Sequence, residues 1–320
     1  MRNIVDSLNE KIIKLESPIV VGLDPKLSEI PDCYKENLSK AENKLEEIEN
    51  IIVNFNKDII DSIFNIVPAV KPQIAFYEVY GEYGIRAFIK TCKYAKSKGL
   101  YVIADAKRND IGNTAKAYAK AFIGKVDLGE GQKEEIFGTD FVTVSPYLGL
   151  DSIMPFIEEC VENDKGIFVL VKTSNPSSKD IQDKVTIDGK MIRECVAEYV
   201  RTESDKLLGD TGYSPIGAVV GATFPEDAIM LRKIMKNNIF LVPGYGAQGG
   251  TAKDVMNCFN ENGLGALINS SRGIIYSYKK GYEKSHITKE EYKNSVISAT
   301  IAMKEDIVSN LNKAGKGYKK

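Results

Sequence analysis

Lysine and aspartate residues follow two apolar runs of this chain at spacings that could support proton transfer. Asp105 and Lys107 end the run YVIADAK, and Lys71 lies near the end of VPAVKP. Because side chains alternate along a strand, Asp105 and Lys107 are predicted to face the same side. An ammonium beside carboxylates keeps its proton where a lone buried lysine would lose it. The pattern predicts a charged lysine that can protonate a developing carbanion, and the alternative is a solvated loop with incidental ion pairs.

Three more polar residues hold comparable positions after apolar runs. Asp24 directly follows IVVGL, Gln73 lies two residues after Lys71, and Asp110 ends the segment DAKRND. If these runs are neighbouring parallel strands, their carboxyl ends meet at one edge of the sheet. Acids and lysines are then expected to gather at one site.

Eight short apolar runs rich in β-branched residues are predicted to be the strands that position these side chains. They are residues 19–23, 67–72, 101–107, 141–147, 167–173, 216–223, 239–242 and 266–270. Most are continuously apolar, which suits parallel strands covered on both faces. Segments with a helical period separate them, including a long helix at about 45–63 and another at about 254–262.

Alternating strands and helices give a parallel sheet, and eight strands can close into a (β/α)₈ barrel, the TIM barrel. We therefore predict an α/β protein with a single TIM-barrel domain over residues 1–320. An insertion is expected at about 25–66, after the first strand, and a C-terminal helical extension at about 275–320. Catalytic residues in such barrels lie at the carboxyl ends of the strands, which is where the lysines and aspartates are found.

The charge balance argues against some classes of partner. The 320 residues include 43 Lys and Arg against 44 Asp and Glu, so no overall field favours nucleic acid or an anionic membrane. No apolar run approaches the roughly 18 residues of a membrane span, and the start of the chain has an amphipathic rhythm rather than a secretion signal. The five cysteines form no C-x-x-C pair, which favours a reducing compartment. A cytoplasmic protein is expected.

Two segments late in the chain predict a phosphate site. PGYGAQGG begins at Pro243 after the seventh predicted strand, and NSSRG ends at Gly273 after the eighth. Barrels often bind phosphate with the loops that follow these two strands. Glycines allow close approach of the backbone, Arg272 offers a forked donor, and Gln248 can close over the phosphate. The alternative is a simple glycine-rich turn.

Together these motifs resemble those of orotidine 5′-monophosphate decarboxylase. DAKRNDIGNT, from Asp105 to Thr114, is similar to the pattern D-x-K-x-x-D-I-x-x-T, and VGLDP, KPQIAFYE, VKTSNP, VVGAT, PGYGAQGG and NSSRG occur in the family's order. The chain is most similar to the longer bacterial and protozoan branch, which carries an extended helical insertion after the first strand. The resemblance implies a homodimer, without cofactor or metal, that converts orotidine 5′-monophosphate (OMP) to uridine 5′-monophosphate (UMP), the last step of de novo UMP synthesis.

The resemblance also implies roles for single residues. Lys107 is expected to donate a proton to C6 of the pyrimidine, and Asp105 to face the substrate's carboxylate. Lys71 is expected to link Asp105 to the ribose. Asp24 and Gln73 are expected along the ribose hydroxyls.

Further implied roles concern the base and a second subunit. Asp110 and Thr114 are expected to reach across a dimer interface into the partner's site. Their spacing of four residues supports this expectation, because it predicts both on one face of the first turn of a helix. Ser174, in VKTSNP, is expected to contact the base, and the adjacent Thr173 is the alternative.

Three other functions fit the sequence less well. Residues 244–249 fit G-x-G-x-x-G, but an NAD site needs an acid at the end of the next strand, where Asn269 and Arg272 stand. A magnesium-dependent sugar-phosphate decarboxylase or aldolase of the same barrel superfamily shares D-x-K-x-x-D, yet the D-I-x-x-T extension, KPQ and P-G-x-G-A-Q favour the nucleotide enzyme. A non-catalytic nucleotide-binding barrel would lack a lysine or an acid of the network. The only histidine, His286, lies in a polar stretch, so neither a metal cluster nor a Ser-His-Asp triad is expected around it, whereas a magnesium site made of carboxylates alone stays an alternative.

Overall fold

A closed barrel of parallel strands forms the centre of the molecule in a computed structural model, which describes residues 2–246 and 249–318. The strands in these residues are β1 (Ile19–Leu23), β2 (Ala69–Pro72), β3 (Tyr101–Arg108), β4 (Val126–Asp127), β5 (Lys133–Glu134), β6 (Phe141–Val144), β7 (Gly166–Lys172), β8 (Ser214–Val220), β9 (Asn238–Val242) and β10 (Ala266–Ser270). The barrel order is β1-β10-β9-β8-β7-β6-β3-β2, and β4 and β5 form a separate hairpin. All eight predicted strands are present, so the prediction of an α/β TIM barrel is confirmed.

The barrel is surrounded by helices, most of which connect one strand to the next. They are α1 (Ile4–Leu15), α2 (Lys44–Ile63), α3 (Ala75–Glu78), α4 (Gly81–Ser97), α5 (Gly112–Ile123), α6 (Met154–Asn163), α7 (Ile192–Ser204), α8 (Pro225–Ile234), α9 (Ala252–Val255), α10 (Arg272–Ile275) and α11 (Lys289–Lys313). Among the described residues, none of these helices has the length and apolar character needed to cross a membrane.

The helix predicted at 254–262 is wrong. The chain there forms only the single turn α9, followed by a 3₁₀ turn at Met256–Cys258. Phe259 is extended, and a turn closes between Asn260 and Gly263, whose N–H donates to the Asn260 carbonyl at 3.1 Å. Asn and Gly favour such turns over a helix interior, which outweighs the apolar period of this segment.

Helix α1 closes the end of the barrel where the strands begin. Its N-cap is Asn3, whose side chain accepts hydrogen bonds from the N–H groups of Val5 and Asp6. Leu8 on its apolar face is fully buried in the cluster that includes Val20 and other side chains inside the barrel. Because apolar side chains fill this end, polar chemistry is confined to the opposite end, where the strands finish.

The insertion after β1 and the C-terminal extension pack against each other. Within the insertion, α2 presents Phe55, whose ring lies 5.3 Å from that of Tyr292 on α11. Tyr34, in a 3₁₀ turn that precedes α2, places its ring 5.7 Å from Tyr292. The buried Tyr292 hydroxyl donates to the Ile275 carbonyl at 2.9 Å. These aromatic contacts join the two additions into one layer beside the barrel.

A buried arginine links α8 to the starts of two strands. Arg232 is 8% exposed, and its guanidinium lies 3.6 Å from the centre of the Phe240 ring. It donates hydrogen bonds of 2.7–3.1 Å to the backbone carbonyls of Met235, Asn238, Cys258 and Gly265. Burial lowers the pKa of Arg232 to about 10, so the group remains charged at neutral pH. One side chain thus satisfies carbonyls from four points of the chain.

Candidate active site

A cavity of about 430 Å³ opens where the barrel strands end. Eight of the residues predicted from sequence line it: Asp24, Lys71, Asp105, Lys107, Thr173, Ser174, Pro243 and Arg272. The cavity therefore brings together most of the candidate side chains, although they come from distant parts of the chain.

The two lysines bind opposite oxygens of one aspartate at the base of this cavity. Lys71 Nζ lies 2.7 Å from Asp105 Oδ2, and Lys107 Nζ lies 2.5 Å from Oδ1. Burial acts to raise the pKa of Asp105, but the two ammonium groups outweigh it and hold that pKa well below its usual range. Burial likewise acts to lower the pKa of Lys71, and the carboxylates of Asp105 and Asp24 reverse the shift. Lys71, Asp105 and Lys107 form the charged triad of this site, and the pKa shifts of Asp105 and Lys71 leave both of these groups charged at neutral pH.

Asp105 and Lys107 meet as predicted, but simple strand alternation is not the reason. Lys107 has φ +48, in the left-handed region, and the pairing of β3 with β6 loses its register between Ala104 and Arg108. The backbone thus bulges at the point where the two side chains converge. The Lys107 side chain is 46% exposed and reaches into the cavity, whereas Asp105 is buried.

Asp24 stands at the end of β1 with an unused acceptor. Its Oδ1 is buried and has no hydrogen-bond partner among the described residues, and the same holds for Oδ1 of Asn269 on β10. Both side chains line the cavity. At Gly22 an added Cβ would lie 1.8 Å from Ser271 Oγ, so only glycine lets β1 approach this wall. Two buried oxygens on this side are available to hydroxyl donors of a ligand.

Thr173 and Ser174 differ in whether their hydroxyls are free. Thr173 Oγ1 donates to Asn175 at 2.7 Å and accepts from Gln182 Nε2 at 2.9 Å. In the part of the chain that the structure describes, the Ser174 hydroxyl has no such partner, although its carbonyl accepts from Thr223. Both residues face the cavity, but Ser174 has the hydroxyl available for a ligand.

A network of four charges, in which both cations are buried, anchors the segment that follows Ser174. Lys172, which is fully buried at the end of β7, places Nζ 2.6 Å from Asp183 and 3.6 Å from Asp227 on α8. Arg193 on α7 pairs with the same two carboxylates, at 2.8 Å from Asp227. Two cations and two anions compensate each other, so their burial is tolerated. No sequence motif predicts this network, which ties the segment beside the site to α7 and α8.

The segments predicted to bind phosphate border the cavity at its rim. Arg272 is exposed and makes no ion pair within residues 2–246 and 249–318, and Pro243 lies on the cavity wall. Gln248 lies outside the described residues. Gly273 does not line this cavity but a neighbouring one between the β9 loop and α11. A free guanidinium at the rim is suited to a dianionic group.

Three further predicted residues lie outside the cavity. Gln73 turns its Oε1 to the N–H of Ala75 at 3.3 Å, Asp110 accepts from its neighbour Ile111 at 2.8 Å, and Thr114 is exposed on α5. The prediction that Asp110 and Thr114 share a helical turn is wrong, because α5 begins at Gly112, after an extended N-cap at Ile111. Asp110 therefore precedes the helix.

The wall of the cavity has a polar half and an apolar half. Leu170, Val219 and Leu241 cover the neighbouring strands β7, β8 and β9. The charged triad, Thr143 and Asn269 cover the strands on the other side. Thr143 and Asn269 are not among the predicted site residues, although each is a polar residue within an apolar strand. A polar residue inside an apolar strand is the sequence signal that could have identified these two site residues.

Comparisons with known proteins identify the family of this chain. A family model described as orotidine 5′-phosphate decarboxylase / HUMPS family matches residues 17–284. The chain is 42% identical over 307 residues to an orotidine 5′-phosphate decarboxylase of Rhodopirellula baltica, covering 96% of this chain and 99% of the relative. It is 43% identical over 293 residues to the enzyme of that name from Caldicellulosiruptor saccharolyticus, covering 91% and 95%. The structure of Leishmania donovani OMP decarboxylase superposes with a TM-score of 0.71 at 28% identity, covering 96% of this chain and 98% of that one.

Proposed function

Because the chain belongs to the orotidine 5′-phosphate decarboxylase / HUMPS family, its reaction is the decarboxylation of OMP to UMP in pyrimidine biosynthesis, and we propose that Lys107 donates the proton that replaces the carboxylate. The observation that carries this assignment is the charged triad of Lys71, Asp105 and Lys107 at the base of the cavity.

The proposed step follows from where charge develops. The bond between C6 and the carboxylate carbon breaks, CO₂ leaves, and the electron pair remains on C6. That pair lies in the plane of the ring, where the π-system cannot take it up, so the site must supply a cation at this carbon. Lys107 supplies its charge and then a proton from Nζ to C6, which gives UMP and a neutral amine. Solvent returns the proton to this half-exposed amine.

Asp105 and Lys71 prepare Lys107 for this role. Asp105 lies beside the leaving carboxylate and fixes both ammonium groups by hydrogen bonds. The carboxylate also holds Lys107 Nζ in place, at 2.5 Å from Oδ1, until the proton passes to C6. The rate enhancement comes from lysines that are held in place before the reaction, so little reorganisation is needed in the transition state.

The other predicted residues are assigned to the ribose, the base and the phosphate of the substrate. Asp24 accepts hydrogen bonds from ribose hydroxyls, which its unpaired buried oxygen supports. Gln73 lies towards the same hydroxyls, and Ser174 contacts the base. Arg272 binds the phosphate, together with the backbone from Pro243 and the side chain of Gln248. Gly273 lets the chain turn beside the phosphate.

We further propose a homodimer in which Asp110 and Thr114 enter the partner's site. Both lie outside the cavity of their own subunit, and the Ile111 side chain between them is 57% exposed. Tyr147, 78% exposed, and Leu148, 49% exposed, add apolar surface on the loop after β6. Exposed apolar residues beside unused polar ones are typical of an interface.

Residues 1–320 are proposed to act as one domain in the cytoplasm. The additions before β2 and after β10 share one aromatic cluster, which supports a single folding unit. All five cysteines are free, as is usual in a reducing compartment. No nucleic acid or membrane partner is proposed.

Turnover of OMP by the purified protein tests the function and its independence of metal. Loss of the pyrimidine absorbance, followed with and without EDTA, is expected to proceed at the same rate in both. Within residues 2–246 and 249–318 no group of three or more His, Cys, Asp or Glu side chains could hold a metal ion. Absence of turnover would refute the decarboxylase function. Turnover abolished by EDTA and restored by Mg²⁺ would favour metal-assisted chemistry.

Hybrid dimers test the shared site. Lys107→Ala and Asp110→Ala subunits, each inactive alone, are co-expressed with different tags. Each heterodimer then contains one intact site, so random pairing restores about one quarter of the wild-type activity per subunit. A mixture of Lys107→Ala and Lys107→Met subunits is the control and stays inactive. If the first mixture also stays inactive, Asp110 does not act across the interface.

A further inference from the structure

Resting on the proposed function, we propose that Thr143 is a positioning residue that fixes the backbone of Lys107 in the conformation that aims its amine at the reacting carbon. Thr143 lies on β6, next to β3, and is 1% exposed at the cavity wall. It does not need to touch the substrate for this role.

The hydroxyl of Thr143 uses its full hydrogen-bonding capacity at the bulge in β3. Its Oγ1 accepts from the backbone N–H of Ala106 at 3.0 Å and from that of Lys107 at 2.9 Å. It donates to Asp105 Oδ1 at 3.1 Å. A threonine hydroxyl has one donor and two acceptor sites, so this arrangement satisfies all three. Consecutive residues Asp105, Ala106 and Lys107 are thereby held by one oxygen.

Thr143 makes its hydrogen bonds at Lys107, a residue with positive φ. The other described residues with positive φ, glycine apart, are Glu16, Asp164 and Glu130. Glu16 and Asp164 are helix C-caps, and Glu130 lies in the turn between β4 and β5, where this conformation is common. Lys107 differs from these residues because it adopts positive φ within a strand. A bulky residue holds such a conformation only when its surroundings impose it.

Thr143 also helps to fix the orientation of the Asp105 carboxylate between the two lysines. Thr143 and Lys107 Nζ both donate to Oδ1, while Lys71 donates to Oδ2 at 2.7 Å. The carboxylate is therefore held in one orientation by three donors. Loss of the Thr143 hydroxyl would leave the two N–H groups without their acceptor and free the bulge to relax towards an ordinary strand.

Substitution of Thr143 by valine removes the hydroxyl at constant shape. For Thr143→Val we expect kcat for OMP to fall about 10²-fold, the loss typical of a small misplacement, while KM stays within about threefold. Thr143→Ser keeps the oxygen and is expected to recover kcat to within about fivefold of wild type. Thr139→Val is the matched control: Thr139 is fully buried and donates to the Phe122 carbonyl at 2.7 Å, so kcat should be unchanged.

The outcomes separate this inference from the proposed function. A wild-type rate retained by Thr143→Val, or an equal loss in Thr143→Ser, would overturn the positioning role. A crystal structure of Thr143→Val should show Lys107 at negative φ, and retention of positive φ would also overturn it. If Thr143→Val does not fold, the Ser variant and Thr143→Ala provide the same comparison. Inactivity of the wild type towards OMP would instead refute the proposed function, and the crystal structure would still test Thr143.

Discussion

Replacement of Lys107 by alanine is expected to lower kcat/KM for OMP by at least about 10⁴-fold. A general acid contributes about 10²–10⁴-fold, and a preorganised charge at the developing anion adds about 10²–10³-fold. Both are lost together in Lys107→Ala, because the same ammonium supplies the charge and the proton. The assay is the decrease in pyrimidine absorbance at substrate concentrations well below KM, with protein at high concentration to detect residual turnover.

The loss should be specific to the chemical step. Because the Lys107 side chain is 46% exposed and Lys71 still pairs with Asp105, the free energy of unfolding should change by only about 1 kcal/mol. Binding of UMP should be retained, since the phosphate and ribose contacts remain. The matched control is Lys206→Ala, which removes a 61% exposed lysine paired with Glu203 and should keep full activity. A loss below about tenfold in Lys107→Ala would contradict its role as proton donor.

The largest effect on stability is expected at the other end of the barrel. Arg232→Met retains much of the aliphatic volume but removes the guanidinium hydrogen bonds to the carbonyls of Met235, Asn238, Cys258 and Gly265, of which Gly265 keeps the N–H of Phe240 at 2.7 Å. A buried acceptor left without a donor costs about 1–3 kcal/mol, partly recovered when water enters. We expect the free energy of unfolding, measured in urea, to fall by about 3–5 kcal/mol.

A second arginine offers the comparison for this measurement. Arg201 on α7 forms an exposed pair with Asp205 at 3.0 Å, and Arg201→Met should cost under about 1 kcal/mol. Folded Arg232→Met should decarboxylate OMP at close to the wild-type rate, because Arg232 contacts the starts of the strands and not the cavity. An unfolding free energy within about 1 kcal/mol of wild type would mean that the four carbonyls find other partners.

The barrel could be predicted because each strand is a short apolar run and the helical segments between them show the expected period. Strand–helix alternation then restricts the topology to a parallel sheet, which brings β2 beside β3 and Lys71 beside Asp105. Helix ends were harder to place. At residues 254–262 the apolar period competes with the turn preference of Asn260 and Gly263, and the turn prevails.

The candidate site was predictable where a residue follows an apolar strand, because the barrel topology then determines its place. The bulge at Lys107 leaves no signal, because lysine has no preference for left-handed backbone, and the conformation depends on Thr143 of a neighbouring strand. The network of Lys172, Asp183 and Arg193 joins separate segments, so no motif reveals it. Such contacts arise from tertiary packing and need the structure.

The two-sided wall of the cavity bears on the design of inhibitors. A flat heterocycle can place an anionic substituent towards Lys71 and Lys107 while its opposite edge faces Leu170 and Val219. Charge on one edge and size on the other can then be varied separately. An apolar group added to the second edge fills space beside aliphatic side chains without disturbing the ion pairs. Compounds that exchange the two edges would bury their charge against hydrocarbon, so the cavity should discriminate strongly between regioisomers.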